Sequence, residues 1–180
     1  MLNIVGALFA AESEAREAMA ALSETPRING TTIYQMSLVK RNYGELKLCD
    51  NFTSEYLTSG DTKAGGIVGG LIGILGGPLG MLLGGAAGAL IGKSVENSHK
   101  MDSKSLIEQV AQRLEEGDVG LIILAEEENE AVLDHMLVKY NNIVVRYDPE
   151  VIAKEVEQVK KLEKEMAEQL HDALRAAEEE

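Results

Sequence analysis

Residues 64–92 read AGGIVGGLIGILGGPLGMLLGGAAGALIG, a run with twelve glycines and no charged side chain, bracketed by Lys63 and Lys93. Gly65, Gly69, Gly73 and Gly77 are spaced four apart, and so are Gly80, Gly84, Gly88 and Gly92. In a helix each set lines one face and makes a shallow groove that another backbone can approach closely. Gly76-Gly77-Pro78 stands between the sets, a sequence suited to reversing direction, so the spacing predicts two short helices in a hairpin. Each helical glycine costs roughly 0.5–1 kcal/mol relative to alanine. Eight in register would cost several kcal/mol unless close packing offset it, so the grooves need a partner surface. The other faces carry large apolar residues, Leu71 and Leu83 among them, and a helix apolar all round is buried on all sides. Each arm has about 13 residues and reaches near 20 Å, against a hydrocarbon core of about 30 Å. The expected hairpin is too short to cross a bilayer, and it either enters one leaflet or packs against other protomers. Its expected interface is the two glycine sets with Leu71 and Leu83.

The flanking sequence alternates strand and helix signals. Asn3 to Ala10 is an almost unbroken apolar run and reads as a strand covered on both faces. Ser13 is placed to cap a helix with Ala15, Ala18, Met19 and Leu22 at helical spacing, stopping before Pro26. After an Asn29-Gly30 turn, Thr31 to Val39 and then Leu46 and Leu48 alternate apolar with polar residues around Asn42-Tyr43-Gly44, which predicts a β-hairpin with one wet face. Beyond the glycine run come a helix over 103–116 ended by Gly117, a buried strand over 119–125, a helix over 129–140 and a strand over 143–147. Asp148-Pro149 then starts an uninterrupted helix of about 30 residues, roughly 45 Å. Strands separated by helices with a hairpin between them fit a split βαβ, ferredoxin-like α+β sheet. The expected organisation is a ferredoxin-like domain from 1–62 and 93–148, a glycine-zipper hairpin inserted at 63–92 after the third strand, and a C-terminal amphipathic helix over 149–180.

Composition narrows the function classes. With 30 acidic against 17 basic residues the formal charge is -13, which opposes phosphate backbones and anionic headgroups, since both need clustered Lys and Arg. Nucleic acid is not an expected partner. The chain has no Trp, two Phe and five Tyr, too few for stacking platforms or aromatic membrane belts. The single Cys49 makes no intramolecular disulfide, and the apolar start runs directly into Glu12 without a basic leader. A cytoplasmic setting, with membrane contact as its variant, is the expectation.

Candidate chemistry is sparse. Gly88 to Ser94 resembles a phosphate loop but has Ala87 where the first glycine belongs, and it follows a helix signal instead of a strand. His99, His135 and His171 are far apart in sequence and have no ligand spacing; Asp134-His135 reads as a surface pair. Cys49 falls on the polar side of its strand's alternation and reads as an inert thiol. Glu126-Glu127-Glu128 and Glu178-Glu179-Glu180 read as a solvated loop and tail. No cofactor, metal or small-molecule substrate is implied. In the last helix Ile152, Val156, Val159, Leu162, Met166, Leu170 and Ala173 follow spacings of 3 and 4, broken by Glu163. Such a seam serves either contact between protomers or packing onto the chain's own sheet.

The strand-helix-hairpin start, the glycine run, and the return through EEGDVGLIILAEEENEAVLDHML together resemble a bacterial family of small proteins of unknown function, often labelled predicted membrane proteins. The chain is similar, more distantly, to general-stress proteins with a glycine-rich insertion. The resemblance spans roughly residues 3–147, implies no catalytic residue, and leaves the last helix as an addition to the family pattern. The expected function is a non-enzymatic, homo-oligomeric, stress-related module assembled through its zipper hairpins; the alternative is a membrane-associated protein that inserts the hairpin.

Overall fold

The computed structural model describes residues 1–43, 45–57, 66, 68–70, 72–73, 115–140 and 143–178. Its elements run β1 (Leu2–Phe9), α1 (Glu12–Glu24), β2 (Arg27–Ile28), β3 (Thr31–Asn42), β4 (Glu45–Thr53), β5 (Val119–Glu127), α2 (Glu130–Leu137) with a 3-10 turn Val138–Tyr140, β6 (Ile143–Tyr147) and α3 (Pro149–Glu178). The expected helix over 103–116 lies outside the described residues except for its last two; Gly117, placed to end it, has φ +89°.

All strands join one antiparallel sheet in the order β2-β3-β5-β1-β6, with β4 also paired to β3. The protein is therefore α+β, as the alternation of signals implied. The expected third strand, however, is an outer one: β4 pairs only with β3 in the described sheet, and β5 takes the place beside β1. The apolar runs explain this. β1 and β5 are hydrophobic on both faces and occupy the middle, where both faces are covered, whereas β4 carries Glu45, Lys47, Asp50 and Asn51 and suits an edge.

On one sheet face, Val5, Ala7 and Phe9 of β1 and Leu121, Ile123 and Ala125 of β5 form a core with Ala15, Ala18, Met19 and Leu22 of α1 and Leu133 and Leu137 of α2. The Tyr140 ring meets Phe9 edge-to-face at 6.2 Å. Helix α1 begins one residue before Ser13, which therefore caps nothing; the preceding Ala11 offers no side-chain cap. Glu12 holds the first turn instead, accepting from Arg16 Nη2 at 2.9 Å and Lys40 Nζ at 3.2 Å, an acid at the positive end of the helix dipole. Those two cations hold the Glu12 carboxyl below its ordinary value, Arg16 more than Lys40. Helix α2 is capped by a side chain: Asn129 Oδ1 accepts from the Ala131 amide at 3.0 Å. Asn29 and Gly30 both take positive φ, 45° and 78°, in the tight β2–β3 turn.

The opposite sheet face is also covered. Ile4, Ile122 and Leu124 are buried but stand outside the α1–α2 core, and α3, which contacts β1, buries Ile152, Val156 and Val159. Because strand side chains alternate between faces, α3 lies against this second face. The expected wet face of the β3–β4 hairpin is absent along β3, where Thr31, Ser37 and Arg41 are buried; β3 is flanked on both edges and no longer reads as a two-strand ribbon.

A bulge reverses the expected alternation of β4. Leu38 pairs with Asp50 but Val39 pairs with Leu48, leaving Cys49 as the extra residue. As a result Leu48 is 53% exposed, while Cys49 and Phe52 pack against the core. Leu48→Ala is therefore expected to change unfolding free energy by less than about 0.5 kcal/mol, and Leu38→Ala, on the fully buried side, to cost about 2–5 kcal/mol, both read from urea denaturation midpoints. Equal costs would mean that the bulge is absent.

Candidate functional site

Helix α3 starts as its sequence dictates. Asp148 Oδ1 accepts from the Glu150 amide at 2.7 Å, and Pro149 occupies the first turn, where its missing N–H is not needed. The seam then divides. Its first part, Ile152, Val156 and Val159, is buried against the chain's own sheet and is not available to another protomer. Beyond Val159 no described residue of α3 is buried: Leu162 is half-buried and Met166 is exposed.

Against this helix rests part of the glycine run. The described residues 66, 68–70 and 72–73 are helical. Val68 is fully buried. A Cβ built on Gly70 would stand 2.8 Å from Val156 Cγ1 and 3.5 Å from Lys160 Nζ, so Gly70 packs closely against α3. Gly66, Gly69 and Gly73 are exposed, and no described atom lies within 4 Å of a Cβ at any of them. At 100° per residue these three lie within about 60° of one another, Val68 lies about 100–160° from them, and Gly70 lies on the flank next to Gly66, about 40–100° away. The glycine that meets a neighbour is thus outside both expected registers, and Gly69 and Gly73, within the first register, point away from the described body. Gly65, Leu71, Gly77, Gly80, Leu83, Gly84, Gly88 and Gly92 lie outside the described residues.

A second cluster was hidden from the sequence reading. Glu127 sits in the run expected to be a solvated loop, yet it is 3% exposed. β5 extends to it, and it continues the odd-numbered face of Leu121, Ile123 and Ala125. Arg146 of β6 binds it through two guanidinium nitrogens, Nη2 to Oε1 at 2.9 Å and Nε to Oε2 at 3.0 Å. Asn3 Nδ2 donates to Oε2 at 2.8 Å. Arg146 Nη2 also reaches Asp134 Oδ1 at 2.8 Å and the Glu130 carbonyl at 3.0 Å, tying the start of α2 to β6. The Glu127 hydrogen bond, ahead of that from Asp134, raises the Arg146 pKa above its ordinary value against the opposing effect of burial. The guanidinium is therefore charged throughout the working range, and its contribution fades only when pH climbs through that raised value. The parity of β5 was the available signal, since an acidic residue two places after Ala125 points inward if the strand runs on.

Both Glu127 oxygens are engaged by Arg146 and Asn3, so the cluster binds α2 to the sheet and presents no free base. Asp134 faces Arg146 and not a histidine relay, and His135 and His171 are exposed. His99 and the phosphate-loop-like residues 88–94 lie outside the described residues. Among the described residues no group of three or more His, Cys, Asp or Glu is placed to hold a metal, and no helix is long and apolar enough to cross a membrane.

Residues 62–175 match the family described as Protein of unknown function (DUF1269), and the chain belongs to that family. The matched span starts within the β4–β5 connection and takes in most of α3, so that helix is part of the family pattern and not an addition to it, whereas β1 to β4, expected to share the resemblance, precede the match. No curated protein and no solved structure matches the chain.

Two pairs of variants test this geometry. Glu127→Leu should cost about 3 kcal/mol by leaving the Arg146 charge half-buried without its main partner, while the double change Glu127→Leu with Arg146→Leu should cost less than the single one; chemical denaturation reads both. Gly69→Ala should stabilise the fold of the single chain by about 0.5–1 kcal/mol, since a methyl there meets no described atom of that chain. Gly70→Ala should lose that gain or reverse it, because Val156 must shift.

Proposed function

We propose that this protein is a non-enzymatic, homo-oligomerising module that associates through the glycine face of its inserted segment. The observation that carries the reading is the division of the short helix on α3: Val68 and Gly70 are buried, and Gly66, Gly69 and Gly73 form an exposed face without side chains. Such a face lets a second helix approach at backbone distance, and close packing is what offsets the helix penalty of so many glycines. Gly80, Gly84, Gly88 and Gly92 supply a second register for the same purpose. Helical hairpins meeting in this way would leave the sheet as a scaffold outside the interface.

The scaffold itself supports a ferredoxin-like reading. The path β3-β5-β1-β6, with α1 joining β1 to β3 through the short β2 and α2 joining β5 to β6, has the order of two interleaved split βαβ units. In this reading β4 and the zipper segment are additions between the second and third strands of the unit. The organisation is one sheet domain, an inserted hairpin and a C-terminal helix, in a cytoplasmic setting.

Replacing Gly69 and Gly73 with Leu tests the function. Light scattering after size exclusion without detergent should show a defined oligomer for the unmodified chain and a smaller particle for the variant, with unchanged circular dichroism. An oligomer of the same mass in the variant rejects the glycine face as interface. Recovery of the unmodified chain only with the membrane fraction would favour insertion of the hairpin into lipid.

A further inference from the structure

The described sheet ends in two unlike edges. At one of them β3 is flanked by the two-residue β2 and by β4, and β4 carries the bulge at Cys49 with Glu45, Lys47 and Asp50 along its length. Short strands, bulges and charges are the devices that keep an edge from adding another strand. β6 forms the other edge and, among the described residues, pairs only with β1. Its five residues, Ile143 to Tyr147, include no Lys, Pro, Asp or Glu, and its register against β1 runs without a bulge. Arg146 does not blunt it, because the guanidinium is held on the core face by Glu127 and Asp134. Ile143 is 57% exposed, and Val138, in the 3-10 turn before β6, is exposed as well. An apolar strand thus borders the described sheet with nothing in its own sequence to turn another strand away.

We infer that β6 pairs antiparallel with β6 of a second copy across a two-fold axis at Val145, so that one sheet runs through both. This interface is separate from the glycine face; it rests on the homo-oligomer reading above and gives it a second surface. The unequal edges point to a copy of the chain as the occupant. Two-fold pairing joins the open edges to each other and leaves only the blunted β4 edges outside, so growth along the sheet closes at two. The strand is also complementary to itself. An axis perpendicular to the sheet keeps core face beside core face, which sets each residue opposite one of the same parity. With the axis at Val145 all five residues pair: Ile143 lies opposite Tyr147 of the other copy, Val144 opposite Arg146, and Val145 opposite Val145. A β-branched side chain beside an aromatic ring is a favourable cross-strand pair, and no two like charges of the strands meet. Moving the axis to Val144 or Arg146 leaves only three residues of β6 paired, and at Arg146 it sets one guanidinium against the other.

Disulfide trapping of the full chain in a Cys49→Ser background tests the pairing. Opposed Cα atoms in an antiparallel pair are about 4.5–5.5 Å apart, within the ~7 Å a disulfide allows, so Val145→Cys should form a disulfide dimer under mild oxidation. Ile143→Cys should not, although Ile143 is exposed and Val145 half-buried, because the two copies of position 143 lie four residues apart along the paired strands, about 13 Å. Cross-linking of Ile143→Cys as readily as Val145→Cys means chance collision or another register and overturns the inference. An oligomer in which Val145→Cys forms no disulfide also overturns it and leaves the glycine-face reading standing. A Val145→Cys dimer that persists in the Gly69→Leu, Gly73→Leu double variant supports the β6 interface independently of the glycine face, whereas an unmodified chain that is monomeric at every concentration overturns both. Should cysteine at Val145 disturb folding, Ile143→Lys gives the answer from an exposed position. An edge lysine there should weaken self-association about tenfold in sedimentation equilibrium, with unchanged circular dichroism; no weakening overturns the inference.

Discussion

The contact between Gly70 and Val156 orders the rest of the molecule. It occurs where the inserted helix crosses α3, and a Cβ at Gly70 would stand only 2.8 Å from Val156 Cγ1. Val156 in turn belongs to the group, with Ile152 and Val159, that seats α3 on the second face of the sheet. One close approach therefore links the insertion to the C-terminal helix and the helix to the core. It also fixes the rotation of the inserted helix. Gly70 and Val68 lie about 160° apart around the helix and border its seated side, while Gly66, Gly69 and Gly73, across from that side, are exposed. Interior close packing and an exposed glycine face are two consequences of one rotation.

Much of the architecture was legible because it depends on local rules. The apolar runs of β1 and β5 announced strands covered on both faces, Asn129 and Asp148 announced helix starts, and Asn29-Gly30 announced a turn that both residues enter with positive φ. What stayed hidden depends on partners distant in sequence. The bulge that leaves Cys49 unpaired and turns Leu48 outward arises from the register of β4 against β3, and alternation along one strand does not reveal it. The burial of β3 on both faces needed knowledge that β5, far along the chain, pairs with it. Glu127 was read as solvated because three consecutive glutamates suggest a loop; its role follows only when Arg146 is placed across β1 from it, at the end of β6. The glycine run shows the same division. Its periodicity named Gly69 and Gly73, but the packing of Gly70 against α3 lay outside that periodicity.

The two charged features of the fold do different work. The Glu127–Arg146–Asn3 group sits at one end of the core and satisfies its own donors and acceptors, so it holds α2 and β6 to β1 and β5 in a fixed relation. Beyond Val159, the described charges of α3 include two pairs along the helix, Lys161–Glu165 and Lys164–Glu168. The first arrangement crosses strands and helices, and the second stays within one helix.

The central claim is that the outward glycine face is covered by another copy of the chain. Amide hydrogen exchange measured across a range of protein concentration, in buffer without detergent or lipid, tests it at the site itself. The account predicts that protection of residues 66–73 rises with concentration while that of β5, already central in the sheet, stays constant. Protection of residues 66–73 that is the same at every concentration would contradict it.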